Sequence, residues 1–355
     1  MIGIIGGYGA VGAHTVRLLD GWGAGPLRIG GRRPERAALL PGSAEAVDIT
    51  DDASLDRFVR DCELVINCAG PSHRTARRVV RAALATGAHH VDAGGAESPG
   101  QDTGDRTVLL HAGALPGLSG LLPRWLAGQG FDTVHELTAY AGVLDRFTAG
   151  AAEDYLHGIL GAANEPLAAW QDGARRSAAL TRRAGLRLPF LPRPVLAHPY
   201  LDAEGAELAR ELRLRRGRWY SLLDGEHLGP ALDAARTLER AEAVARLVRA
   251  TALDTVGRTP YVNLLVQLDG LAGGRPIART AILRGPGIDR LTGAVTAVAA
   301  LAVLRGEVPP GVRTAASALD ARTAVARLLG VPGLCRLTLS DLTIDDLASE
   351  EEGLL

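Results

Sequence analysis

Residues 2–5 form a short β-rich apolar run, broken at once by Gly6-Gly7-Tyr8-Gly9-Ala10-Val11-Gly12. Val11, Thr15, Leu18, Leu19 and Trp22 then recur at helical spacing. Residues 27–29 read as a second strand, and 45–47 as a third with Asp48 at its end. Residues 64–68 are almost wholly apolar, as a strand buried on both faces should be. Over 73–86 Ala76, Val79, Val80, Ala83 and Leu84 line one face, arginines the other, and Gly87 ends the helix. Residues 90–92 and 108–110 read as two further strands. This alternation predicts a doubly wound parallel sheet, an α/β Rossmann domain.

The rest of the chain has another texture. Residues 134–142 read as a strand, 151–160 as a helix, and 172–194, rich in Arg, Pro and Gly, as a mobile or extended connection. Residues 261–269 and 276–283 read as strands flanking the turn Gly270-Leu271-Ala272-Gly273-Gly274. In the first of them Val262, Leu264 and Val266 form one apolar face, and Leu265 makes the other face apolar too. That predicts cover on both faces, from a helix at 291–304 or from a second subunit, and hence a homodimer. Residues 345–355 read as a frayed acidic tail. The expected organisation is a Rossmann domain over 1–115 and an α+β substrate domain with a mixed or antiparallel sheet over 116–309. Residues 310–355 are expected to pack back onto the first.

Gly7-Tyr8-Gly9-Ala10-Val11-Gly12 has the spacing G-x-G-x-x-G between a strand and a helix, the context that turns a weak pattern into a dinucleotide-binding signal. Gly7 allows the tight turn, Gly9 the approach of a pyrophosphate, and Gly12 the close packing of helix on strand. An NAD site wants an acidic residue after the second strand, but Gly30-Gly31-Arg32-Arg33 stands there. Two arginines suit a 2′-phosphate, which points to NADP, with NADPH preferred over NADH. The alternatives are Arg32 stacking on adenine, or two solvated arginines. Asp48-Ile49 meets the adenine edge or caps the next helix, a task Asp51 or Asp52 also suits. Cys68, Ala69, Gly70 and Pro71 end the fourth strand at the switch point, where small residues let a nicotinamide lie against backbone.

Composition narrows the chemistry. The 355 residues carry 39 basic and 40 acidic side chains, and aromatics are 4%. No broad basic field or stacking platform results, which argues against nucleic acid and anionic membrane as partners. Every basic residue is arginine, so a lysine acid, a Schiff-base lysine and a P-loop lysine are excluded. Three cysteines without a Cys-x-x-Cys pair suit a reducing, cytoplasmic setting. No basic segment precedes the first strand, and 291–304 is too short to span a bilayer. Nine histidines include no His-Glu-x-x-His, so no metal is expected.

Gly31-Arg32, Val47-Asp48, residues 67–71, Val91-Asp92, the run from Ala112 to Gly120 and the segment 306–312 together resemble the saccharopine dehydrogenase-like, saccharopine reductase-type, oxidoreductases. The resemblance implies an NADP-binding Rossmann domain, a mixed-sheet substrate domain, and redox chemistry at C–N bonds of amino-acid-derived substrates. The sequence departs from the family at His90, where tyrosine is usual, and in the Gly-Gly-Ala stretch before Glu97.

For catalysis, Asp92 and His90 lie at a carboxyl end of the sheet, where ligands bind; Asp92 serves equally as a turn cap. Tyr155 and His157 sit two apart on a predicted helix, so at most one faces a given cleft. Tyr140, His198 and Tyr200 have weaker claims. Two functional classes follow: an NADP-dependent reductase of imines or opine-type secondary amines, with a free or carrier-bound substrate, and a non-catalytic NADP sensor.

Overall fold

The computed structural model describes residues 1–94, 100, 102–161 and 164–353. The chain divides into two compact units, Met1–Leu121 with Asp289–Val331, and Leu122–Ile288 with Pro332–Leu355.

In the first unit the strands are β1 (Ile2–Ile5), β2 (Leu27–Gly31), β3 (Ser43–Ala46), β4 (Leu64–Asn67), β5 (His89–Asp92) and β6 (Thr107–Leu110). The helices among them are α1 (Gly12–Gly21), α2 (Asp52–Val59) and α3 (Ser72–Ala85). A seventh strand, Gly311–Thr314, joins at the β6 edge, giving the all-parallel order 311–314, β6, β5, β4, β1, β2, β3. Strands β1, β4 and β6 are buried along their whole length, the consequence of cover on both faces. The strand order reverses between β1 and β4, whose last residues, Ile5 and Asn67, are register partners. Ligands of open α/β sheets bind at such a reversal.

The segment that returns to this unit starts at 289, before the expected 310, and leaves at 331. The helix Ile288–Leu304 is buried from Gly293 to Val303. It crosses the start of α1 so closely that a Cβ on Gly293 would lie 2.6 Å from the Val11 carbonyl oxygen. Thr15 Oγ1 donates to the Gly293 carbonyl at 3.1 Å.

The second unit is built on a mixed ten-stranded sheet. Its strand Thr133–Leu144 runs parallel to Arg216–Leu223 and antiparallel to Tyr261–Ala272. The latter forms a hairpin with Arg275–Gly285, and the turn is shorter than expected because pairing continues to Ala272 and Arg275. Only Gly273 and Gly274 remain, at φ +56° and +74°, the two positive values that a primed turn needs to match strand twist. Residues 172–194 are not a bare connection: Ala174–Arg176 pairs with Ala169–Gln171, and Arg183–Leu186 with Val195–Leu201. The acidic C-terminal segment is a helix, Ile344–Gly353. Its first turn brings Ile344 and Leu347 onto Tyr140, Tyr220, Leu265 and Ile282, an apolar gain that outweighs its charge.

Val262, Leu264, Leu265 and Val266 are at most 3% exposed, so both faces of this strand are covered there within the single chain. No helix among the described residues is long and apolar enough to cross a membrane.

Candidate functional site

The glycine loop joins β1 to α1. Gly6 has φ +74°, and a Cβ on it would lie 2.8 Å from the Ala69 nitrogen. A Cβ on Gly12 would lie 2.3 Å from the Gly6 carbonyl oxygen. The loop is thus folded on itself and pressed against the end of β4, and only hydrogen fits at those two positions. Val11 caps α1 without a side-chain hydrogen bond. Among the described residues, the N–H groups of Ala10, Val11 and Gly12 have no backbone acceptor. Free N–H groups at a helix start, with no bulk before them, are what a pyrophosphate requires. The residues present therefore suit a dinucleotide, with Gly7, Tyr8, Gly9, Ala10, Val11 and Gly12 as its cradle.

Arg32 and Arg33 follow β2 and are both exposed. Tyr8 lies across the end of that strand. Its hydroxyl accepts the Arg33 backbone N–H at 2.9 Å, and a Cβ on Gly31 would clash with its ring. The Arg36 guanidinium stands 5.5 Å from the Tyr8 ring centroid, within cation–π range. Arg36 went unnoticed in the sequence. Its signal was the spacing: Pro34 starts a single 3-10 turn that brings residue 36 back over residue 8.

Asp48 is exposed and does not cap α2; Asp51 does, accepting from Ala53 N at 3.0 Å. Asp48 Oδ1 instead accepts from the backbone and hydroxyl of Thr50, which hold its carboxyl below the usual range, with Arg32 adding to the effect. Ile49 is half-buried against the core beneath α2.

At the switch point Cys68 N donates to the Ile5 carbonyl at 2.8 Å. Burial pushes the half-buried Cys68 thiol up to about 12, which keeps it in the thiol form. Gly70 is exposed, while Ala69 and Pro71 are half-buried.

Asp92 and His90 are both fully buried side chains of β5. Asp92 Oδ2 accepts from Asn67 Nδ2 at 2.8 Å and Oδ1 from Gly94 N at 2.9 Å. The carboxylate thus ties the ends of β4 and β5 together, the capping alternative, and is closed to solvent. His90 Nε2 is 3.6 Å from Asp92 Oδ2, beyond hydrogen-bond length, and neither ring nitrogen has a hydrogen-bond partner among the described residues. Glu97 and the Gly95-Ala96 step before it lie outside the described residues.

Tyr155 and His157 belong to the second unit, on the helix Ala149–Leu160, capped by Thr148. The two point to different faces, as their spacing requires. Tyr155 packs on Phe147 with ring centroids 5.3 Å apart, and burial pushes its phenol up to about 12. His157 is exposed. Tyr140 is a buried core residue stacked on Tyr220 at 4.9 Å. Tyr200 donates to the Gly158 carbonyl at 2.9 Å, and His198 Nδ1 accepts from Arg182 Nε at 2.9 Å. The structure thus gathers the glycine loop, residues 67–71 and Asp92 in one unit, and Tyr155, His157, His198 and Tyr200 in the other.

Residues 2–108 match the family model of the saccharopine dehydrogenase NADP-binding domain. No curated protein matches the chain. Among solved structures, apo saccharopine dehydrogenase (L-Glu forming) from Saccharomyces cerevisiae is 16% identical with a TM-score of 0.65, covering 96% of this chain and 99% of that one. DAP dehydrogenase from C. glutamicum in complex with DAP is 14% identical with a TM-score of 0.48, covering 99% and 98%. Residues 2–108 thus match the NADP-binding domain of the saccharopine dehydrogenase family, and the chain as a whole shares its fold with saccharopine dehydrogenase.

Proposed function

We propose that the chain is an NADPH-dependent oxidoreductase that reduces a C=N bond, an imine or opine-type adduct, of an amino-acid-derived substrate. The observation that carries this reading is the cradle at Gly6–Gly12 followed by Arg32 and Arg33, within a domain that matches an NADP-binding family. The choice of a C–N bond rests on the sequence resemblance to saccharopine dehydrogenase-like oxidoreductases, with which the match of residues 2–108 is consistent.

When bound, NADPH supplies a hydride. The N–H groups of Ala10 to Gly12 would hold its pyrophosphate, and Arg32 and Arg33 would supply the charge for its 2′-phosphate. No lysine is available as an acid. An iminium ion arrives protonated, so orientation and exclusion of water carry most of the remaining work.

The test is to follow loss of NADPH absorbance with mixtures of amino acids and 2-oxo acids that form imines in solution. Turnover with one such pair, and none with either component alone, is expected. Tight NADPH binding without turnover across the panel would replace the enzyme by a sensor.

A further inference from the structure

We propose that the second unit holds a binding pocket of its own for a short apolar carboxylate. The pocket lies between one face of the strands Val195–Leu201 and Arg216–Leu223 and the helices Ala149–Leu160 and Leu228–Ala234. It goes beyond the reductase reading and does not depend on NADPH.

The cavity has about 70 Å³ of free volume. One water needs about 10–15 Å³ on that measure, so roughly five to seven fit, the bulk of a four- to six-carbon acid. Strand alternation puts Leu196, His198 and Tyr200 on one face, and register places Ser221 beside His198. Ile159, Leu223 and Leu232 complete apolar walls. A cavity lined only by such groups would stay dry, yet His198, Tyr155 and Ser221 are also among its lining residues.

The first is His198. Its Nδ1 accepts from Arg182 Nε at 2.9 Å, and because a guanidinium only donates, Nδ1 is unprotonated. The ring proton therefore sits on Nε2, which is a donor. Arg182 is itself fixed by Asp233, its two terminal nitrogens donating at 3.1 and 2.7 Å. The ring is held neutral by burial first, then by Arg182 and Arg236. The second is the Tyr155 hydroxyl, which has no hydrogen-bond partner among the described residues although burial keeps the phenol protonated. The third is Ser221 Oγ, likewise without a partner among them.

These are donors first: an imidazole N–H, a phenol and an alcohol. The lining also holds two guanidiniums, Arg182 and Arg236, and one carboxylate, Asp233, which is paired with Arg182, leaving one positive charge in excess. Three donors and a net positive lining select an anion with two acceptor oxygens. The apolar walls select a hydrocarbon body and reject a second charge.

The experiment is calorimetric titration of the full chain, without NADPH, with isovalerate, isovaleramide and succinate. Isovalerate should bind with a Kd of about 0.1–1 mM. The amide and the dicarboxylate should each be at least about tenfold weaker, and Tyr155→Phe should weaken isovalerate about tenfold or more. Leu232→Trp, which fills the cavity, should abolish binding while NADPH binding and circular dichroism confirm a folded chain. No binding of isovalerate at about 10 mM would overturn the proposal. So would equal binding of the amide, measured on the unaltered protein, or full binding by a folded Leu232→Trp variant.

Discussion

Asn67 donates its side-chain amide to Asp92 across the carboxyl ends of β4 and β5, 2.8 Å from nitrogen to oxygen and shut off from solvent. The same Asn67 accepts from Ala69 N at 3.2 Å, and the same Asp92 from Gly94 N at 2.9 Å. One pair of side chains thus sets the exit of two neighbouring strands at the switch point. Asp92→Ala would take the acceptor from the Gly94 N–H and from one N–H of the Asn67 amide, whose nitrogen also reaches Thr75 Oγ1 at 3.4 Å. Each orphan costs about 1–3 kcal/mol, and because Gly94 is only half-buried urea unfolding should show a loss toward the lower part of the summed range of about 2–6 kcal/mol. A variant of unaltered stability would show that water replaces the carboxylate.

Arg32→Ala should weaken NADPH about 10- to 150-fold, the worth of a hydrogen bond to a charged group, and leave NADH nearly unchanged. Fluorescence titration with both cofactors separates the readings. Equal losses would mean that Arg32 stacks on the adenine and does not read the phosphate.

Tyr8→Phe tests how the arginine turn is held. The Arg33 N–H loses its acceptor but is exposed, so water takes over part of the bond. The expected cost is about 0.5–1.5 kcal/mol in NADPH binding, or roughly two- to twelvefold. Tyr8→Ala also removes the ring under Arg36 and should cost more. Identical affinities for the two variants would remove Arg36 from the site.

Gly12→Ala should damage the fold and the cradle together. Its Cβ would meet the Gly6 carbonyl oxygen at 2.3 Å and Gly7 Cα at 2.7 Å, both backbone. Backbone cannot rotate away, so overpacking of about 1–3 kcal/mol is expected, with loss of NADPH affinity beyond tenfold. A thermal melt and a cofactor titration on the same sample check both.

Asp224 should contribute to the acid limb of stability in the second unit. Burial raises its pKa, but hydrogen bonds from Tyr261 at 2.5 Å, from Arg193 Nε at 2.6 Å and from Arg258 overcome this and leave it lowered. A lowered folded value means stability that is complete above the unfolded value of about 4 and is lost as pH falls through the folded one. Asp224→Asn should destabilise by about 2–4 kcal/mol at neutral pH, less than for a fully buried pair because Arg193 is half exposed. It should also flatten the fall in stability below about pH 4. An unchanged acid limb would assign that fall to other carboxylates.

Local pattern was enough for the Rossmann half. Strands β1, β4 and β6 are short apolar runs closed by glycine or a helix start, and α3 carries its arginines on one face, so each element declares itself within a dozen residues. The glycine spacing and the arginine pair after β2 are likewise contiguous, and the cofactor domain was legible from them. The sequence assigns His90 and Asp92 to their strand but carries no sign of their depth. A strand covered on both faces hides even its polar side chains, and no two-residue period reveals that. The cavity in the second unit joins helix residues near 155 and 232 to strand residues near 198 and 221, and no spacing along the chain links these. The close crossing at Gly293 depends equally on contacts across nearly the whole chain. Nearest-neighbour preferences act over a few residues and therefore appear in the sequence. Burial, orphaned polar atoms and cavities arise from pairs tens to hundreds of residues apart, and only the folded chain decides them.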